Sequence, residues 1–234
     1  MIKILAIVPA RSGSKRLPGK NIKVLNGKPL IQWTIESALA VDNISRVMVS
    51  TDSQEIADIA LKSGAEVPFI RPKELASDTS SSSAVIENAL DFYKEQGEFF
   101  DLVLLLQPTS PMRNKKHIEQ SIALLHLKNA DAIVSVCECE HSPLWTNTLP
   151  VDLSMDDFIS EEIKQIRSQD LPMSYRLNGA IYLSKVSRFY EEKTLFLSSN
   201  IYAYIMDSQS SVDIDHELDF LLAETILKYK VNNE

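Results

Sequence analysis

The chain of 234 residues is 44% hydrophobic and 24% charged, enough length and apolar content for a buried core without disulfide or metal staples. Its net charge of −8 argues against nonspecific nucleic-acid binding, and no apolar run reaches the length of a membrane span. Cys137 and Cys139 lie too close in sequence for a disulfide framework, and Met1 runs straight into a strand-like segment without a leader pattern, so a reducing, cytoplasmic setting is expected.

The first predicted element is IKILAIVP, a continuous apolar run of the kind a buried parallel strand requires. PLIQWTIESALAV opens with Pro29 and spaces Leu30, Trp33, Ile35 and Leu39 as an amphipathic helix. Residues 44–52 read as a second strand and 53–64 as a helix stopped by Gly64, and EVPFI (66–70) reads as a short strand. A helix led by hydroxyls follows over 78–97, with Val85, Ile86, Ala89, Leu90 and Tyr93 on one face. Residues 101–107 form another buried strand, then come a helix near 114–128 and a strand at 131–137. Beyond residue 138 the rhythm breaks, and 140–175 carries three prolines, many acids and no clear period. Strands at 175–185 and 201–207 and a closing helix complete the chain.

Repeated βα units imply a parallel sheet covered on both faces, with residues 140–175 an excursion from the main domain of 1–139 and 176–234. Ligands in such sheets bind beyond the carboxyl ends of the strands, where PARSGSKR, STD, RPKELASD and QPTSP all fall.

Charge is distributed unevenly. Residues 1–35 hold seven Lys and Arg and no acid, leaving −15 on the remainder, so the amino-terminal loop is a candidate polyanion site. The loop is neither a Walker A nor a dinucleotide fingerprint: Gly13 and Gly19 have five residues between them, and Lys20 precedes Asn21. Even so, backbone amides of a turn after a strand can cradle phosphate oxygens, with Arg11, Lys15 and Lys20 neutralising a triphosphate. A solvated basic loop is the plain alternative.

In SVDIDHELD, extended chain would send Asp213 and Asp215 the same way, a natural pair for Mg²⁺ beside phosphate. The alternative makes Asp215 the N-cap of the closing helix, and both can hold. Among Thr79 to Ser83, some hydroxyls cap a helix, and Arg71 with the others could read a nucleobase edge. Gln107, Thr109 and Ser110 sit in a loop stiffened by two prolines, and Arg113 reads as a plain surface charge. The triple of Cys137, Cys139 and His141 lacks a fourth ligand and the usual zinc spacing. Nothing marks a serine nucleophile or a histidine base.

Taken in order, PARSGSKRLPGKN, STDSQEIA, RPKELASDTSSS, LLLQPTSPMR, YRLNGAIY and SVDIDHELD closely resemble the CMP–sialic acid synthetases, or acylneuraminate cytidylyltransferases, across nearly the whole chain. The resemblance implies a Rossmann-like, doubly wound, mostly parallel sheet and a nucleotidyltransferase that joins CTP to a nine-carbon 2-keto sugar acid with release of pyrophosphate. It implies that Arg11, Ser14, Lys15, Lys20 and Asn21 hold the CTP phosphates and that Arg71 and Ser82 contact cytosine. Gln107, Arg167, Asn178 and Tyr182 would face the sugar, Asp213 and Asp215 would bind metal, and residues 140–175 would build a homodimer reaching the neighbouring site. Trp145 departs from the pattern, standing where some sialic acid enzymes carry a lysine near the sugar. An indole suits a less polar nonulosonic acid such as legionaminic acid. The alternatives are a cytidylyltransferase for an eight-carbon sugar acid and a catalytically silent nucleotide-binding module.

Overall fold

In the computed structural model, which describes residues 2–77 and 80–231, a six-stranded sheet carries the site. Its strands are β1 (Ile4–Pro9), β4 (Arg46–Ser50), β5 (Leu102–Leu105), β6 (Ala132–Glu138), β7 (Tyr175–Lys185) and β8 (Ile201–Met206). They lie in the order β4-β1-β5-β7-β6-β8, and β2 (Val24–Leu25) and β3 (Lys28–Pro29) form a separate two-stranded hairpin. β1 pairs in parallel with β4 and β5, and β6 with β8. β7 alone runs antiparallel, wedged between β5 and β6. The sheet is therefore mostly parallel, and the reversal of β7 brings its amino-terminal half to the edge where β1, β4, β5 and β8 end.

Alternation along β1 shows why the sheet must be covered twice. Ile4, Ala6 and Val8 pack with α1 (Leu30–Leu39), α2 (Gln54–Lys62) and α4 (Lys115–Lys128) through Ile31, Ile35, Ile56, Ala60, Ile118 and Ile122. Leu5 and Ile7 face the other way, against α3 (Ser82–Glu95) and α6 (Val186–Glu192) through Ile86, Leu90, Tyr93 and Phe189. Helix starts follow local chemistry: Ser53 caps α2 by accepting from the Ile56 amide, and Asn114 and His117 form a reciprocal capping box on α4. Gly64, at φ 91°, provides the left-handed residue that ends α2.

Residues 66–70 do not form the expected strand. Only Met48 and Glu66 make an isolated parallel bridge, and Pro68 lacks the amide that a continued ladder would need. The excursion leaves the sheet where β6 and β7 pair through Val136 with Leu177 and Glu138 with Tyr175. It contains one short helix, α5 (Glu161–Lys164), two 3-10 turns and a row of exposed apolar side chains, including Leu149, Val151, Leu153 and Met155. α7 (Glu217–Val231) closes the chain and builds a third cluster, in which Phe220, Ala223 and Leu227 pack with Leu17, Leu25, Leu30, Met112 and Ile214.

Candidate active site

That third cluster assembles the site. Leu17 comes from the loop after β1 and Ile214 from the segment before α7, and both are buried against α7. Burying Ile214 turns its two neighbours to the other side of the chain. Asp213 and Asp215 consequently face a cleft of about 580 Å³ whose opposite wall carries Arg11, Ser14, Lys15, Arg16, Lys20 and Asn21. Gln107, Pro108 and Thr109, after β5, complete it. Residues nearly 200 apart in sequence thus share one cavity at the carboxyl ends of β1 and β5.

The aspartates sit in opposite electrostatic states. Lys20 Nζ lies 2.9 Å from Asp215 Oδ1, and Arg16 NH1 lies 2.7 Å from Asp215 Oδ2. The lysine hydrogen bond, followed by the charges of Lys20 and Arg16, holds the Asp215 carboxyl below the usual carboxylate range. Asp213 is pushed the other way, chiefly by burial and in part by the charge of Asp215, despite a bond from Thr109. Its Oδ1 is buried and has no hydrogen-bond partner. A buried carboxylate oxygen without a partner, on a side chain that lines the cleft, fits a hard divalent cation, which would compensate its charge. Asp215, gripped by two cations, is the weaker base of the pair. Its oxygens go to Lys20 and Arg16, while the Asp219 carboxylate accepts from the amides of Asp215 and His216 at the start of α7.

A second cavity of about 230 Å³ adjoins the first across Pro9 and Arg11, and is lined by Arg71, Leu75, Ser77, Ser80, Ser82 and Val85. Arg71 is buried here, with Nε donating to Ser50 Oγ at 2.9 Å and NH2 to the Ser50 carbonyl. Desolvation brings its guanidinium down to about 10, still charged at neutral pH. Ser82 opens α3, and the capping hydroxyl is that of Ser81, which accepts from the Ala84 amide. Thr79 lies outside the described residues.

The side chains expected at the sugar are placed unequally. Gln107 is on the cleft wall, and Tyr182 lies opposite Leu105 on β7, its hydroxyl held up first by burial and then by the charge of Asp213. Asn178 is buried within the fold, accepting from Ser135 Oγ at 2.6 Å and donating to Ser211 Oγ at 2.9 Å. It braces the segment that leads to Asp213 and does not line the cleft. Trp145 and Arg167 sit on the excursion, outside the residues that line these cavities. Gly179, at φ 72°, passes directly beneath Gln107, where an added Cβ would stand 2.6 Å from Gln107 Oε1.

Arg113 overturns its reading as a surface charge. It is 2% exposed, and its NH1 donates to the carbonyls of Gln107 at 3.1 Å and Ala180 at 2.8 Å, while NH2 donates to Thr34 Oγ1. Burial brings this guanidinium down to about 9. Arg113 ties the Gln107 loop to β7. Spacing gave no signal for it, since a loop arginine two residues after a proline has the same local sequence whether it points in or out. Arg16 was also missed, although its place in the basic loop was a signal.

Among the described residues, no helix is long and apolar enough to cross a membrane. The profile of a family described as cytidylyltransferase matches residues 5–230. A CMP-N,N'-diacetyllegionaminic acid synthase of Legionella pneumophila is 37% identical over 230 residues, covering 97% of each chain. A pseudaminic acid cytidylyltransferase of Campylobacter jejuni is 34% identical over 233 residues, covering 100% of this chain and 99% of that protein. An N-acylneuraminate cytidylyltransferase of Escherichia coli is 38% identical over 229 residues, and the match spans 97% of this chain but only 53% of that protein. Among solved structures, a CMP:2-keto-3-deoxy-manno-octonic acid synthetase complexed with CTP matches with a TM-score of 0.73 over 97% of this chain and 99% of that one, at 18% identity, which bears on the fold alone.

Proposed function

The chain belongs to the cytidylyltransferase family, and we propose that it activates a nine-carbon 2-keto sugar acid with CTP, forming the CMP-sugar and pyrophosphate. One observation carries this reading: the cations of the β1 loop and the carboxylates of Asp213 and Asp215 line one cleft, with a second cavity adjoining through Arg11. A triphosphate fits the first and a base the second.

The oxygen of the sugar's anomeric hydroxyl bonds to the α-phosphorus in line as the bond to the β-phosphate oxygen breaks. The hydroxyl proton passes to solvent and pyrophosphate leaves, so positioning and charge neutralisation do most of the catalysis. Arg11, Lys15 and Lys20 hold the β- and γ-phosphates and stabilise charge arriving on the leaving group, while Ser14 and Asn21 shape the turn. Asn21 donates to the Arg11 carbonyl at 3.0 Å, fixing the loop's path. Arg71 and Ser82 bound the cytosine. Lys20 exchanges Asp215 for phosphate as CTP enters. Mg²⁺ is the group Asp213 would hold, with Asp215 in support, and when bound it supplies charge to the α-phosphate. Gln107, on the cleft wall, is read as facing the sugar, with Tyr182 behind that wall on β7 and outside the cleft's lining.

The exposed apolar excursion is read as the contact surface of a homodimer, through which Trp145 and Arg167 would reach the neighbouring cleft. Trp145 favours a legionaminic-type acid over N-acetylneuraminate. The free thiols of Cys137 and Cys139 accord with a reducing, cytoplasmic setting. Pyrophosphate release measured with CTP and a panel of nonulosonic acids, with Mg²⁺ or chelator, tests the proposal. Release with no nonulosonic acid, or with an eight-carbon acid only, would overturn it.

A further inference from the structure

The loop that carries the cleft's cations is tied to the sheet by a carboxylate that lines neither cavity. Ser12 donates twice to Asp52, its amide to Oδ1 at 2.8 Å and its hydroxyl to Oδ2 at 2.7 Å. Asp52 lies just past the end of β4, and the same strand end holds the wall of the second cavity. Ser50 accepts from the Arg71 side chain, Thr51 O accepts from the Arg71 amide at 2.7 Å, and the Ala10 amide donates to Ser50 O at 2.9 Å. Three consecutive residues, Ser50 to Asp52, therefore grip both cavities. Arg11, flanked by the anchored Ala10 and Ser12, is the charged side chain common to the two.

We propose that Asp52 is a positioning residue that fixes the spacing between the phosphate cavity and the base cavity by clamping Ser12, and that it sets affinity for a ligand spanning both. The inference rests on the CTP reading above. A two-part ligand gains from both cavities only if they stand at its own spacing before it arrives. If the loop must be ordered during binding, that entropy subtracts from affinity. A ligand occupying the base cavity alone does not depend on the loop in this way.

The test uses the full chain with Asp52→Ala, Asp52→Asn and Ser12→Ala, measuring affinity for CTP and for cytidine by calorimetry, with thermal midpoints alongside. Asp52→Ala is expected to weaken CTP about tenfold, the scale of losing charge-assisted hydrogen bonds, and to weaken cytidine far less, since cytidine meets the loop only at Arg11. Asp52→Asn can accept from the Ser12 amide and donate to its hydroxyl, so it is expected to restore most of the CTP affinity. Ser12→Ala keeps the amide contact and should fall between, and the double variant should be no worse than Asp52→Ala. If Asp52→Ala does not fold, Ser12→Ala against Asp52→Asn carries the comparison. Wild-type CTP affinity in Asp52→Ala, equal loss of cytidine, or an Asp52→Asn variant as weak as Asp52→Ala would overturn the role. A wild-type chain that binds no CTP would instead remove the functional reading and this inference with it.

Discussion

Lys20 and Asp215, 195 residues apart, meet at 2.9 Å, and the same ammonium donates to the Ile214 carbonyl at 2.8 Å. This contact joins the first loop of the chain to the segment before its last helix. Lys20 thereby holds the main chain between the two aspartates as well as one of their side chains. In the CTP reading, an entering phosphate would compete with Asp215 for the same cation.

Asp213→Asn is expected to lower turnover by about 10²–10³-fold, the scale of removing one transition-state electrostatic partner. The thermal midpoint should hold or rise, because burial penalises the ionised form of Asp213 and the amide removes that penalty. Steady-state pyrophosphate release and calorimetry measure the two together. Wild-type rates would remove the metal role.

The opposite shifts of the aspartates give opposite pH signatures. Asp215 is lowered, so its contribution to stability is present above its ordinary value of 3.8 and is lost as pH falls through the depressed one. Being part-exposed, the contribution should be about 1 kcal/mol or less. Urea midpoints of wild type and Asp215→Asn should differ at pH 7 and converge in acid. Asp213 is raised, so its proton competes with a cation, and the acid limb of activity should move to lower pH as Mg²⁺ increases.

Gly179→Ala combines a left-handed backbone with a Cβ 2.6 Å from Gln107 Oε1. It should cost on the order of 1–3 kcal/mol and displace Gln107 from the cleft wall. Denaturant midpoints give the first quantity. If Gln107 faces the sugar as proposed, KM for the sugar acid should rise more than KM for CTP.

Val151 is fully exposed, and Leu153 and Met155 expose more than half of their surface. Such a row is a self-association surface in the homodimer reading. The triple change Val151→Asp, Leu153→Asp and Met155→Asp should yield a monomer by sedimentation, with CTP affinity kept and sugar turnover lost. A monomeric wild type, or a monomeric variant with full turnover, would count against a shared site.

Much of the architecture was legible along the chain, because periodicity is local. β1, helix α1, β7 at 175–185 and the basic loop follow from the spacing of apolar and charged residues alone, and the six blocks identified the chemistry. The buried face of α1 does not: Leu30 and Ile35 are buried as expected, but Leu39 is exposed and Trp33 half-buried, while Ile31, Thr34 and Ala38 pack inward because the helix is covered from two sides. What the sequence could not express was which side chains turn inward. Asn178 and Arg113 carry polar groups into the interior, and the acceptors that make this tolerable come from residues as far as 79 positions away. The reversal of β7 was likewise decided by neighbours, whereas Pro68 already speaks in the sequence against a strand at 66–70. Above all, the site exists because Leu17 and Ile214 are buried together against α7. Their sequence separation hides the contact, and it is the hydrophobic gain from closing that third cluster that brings the cations and the carboxylates face to face.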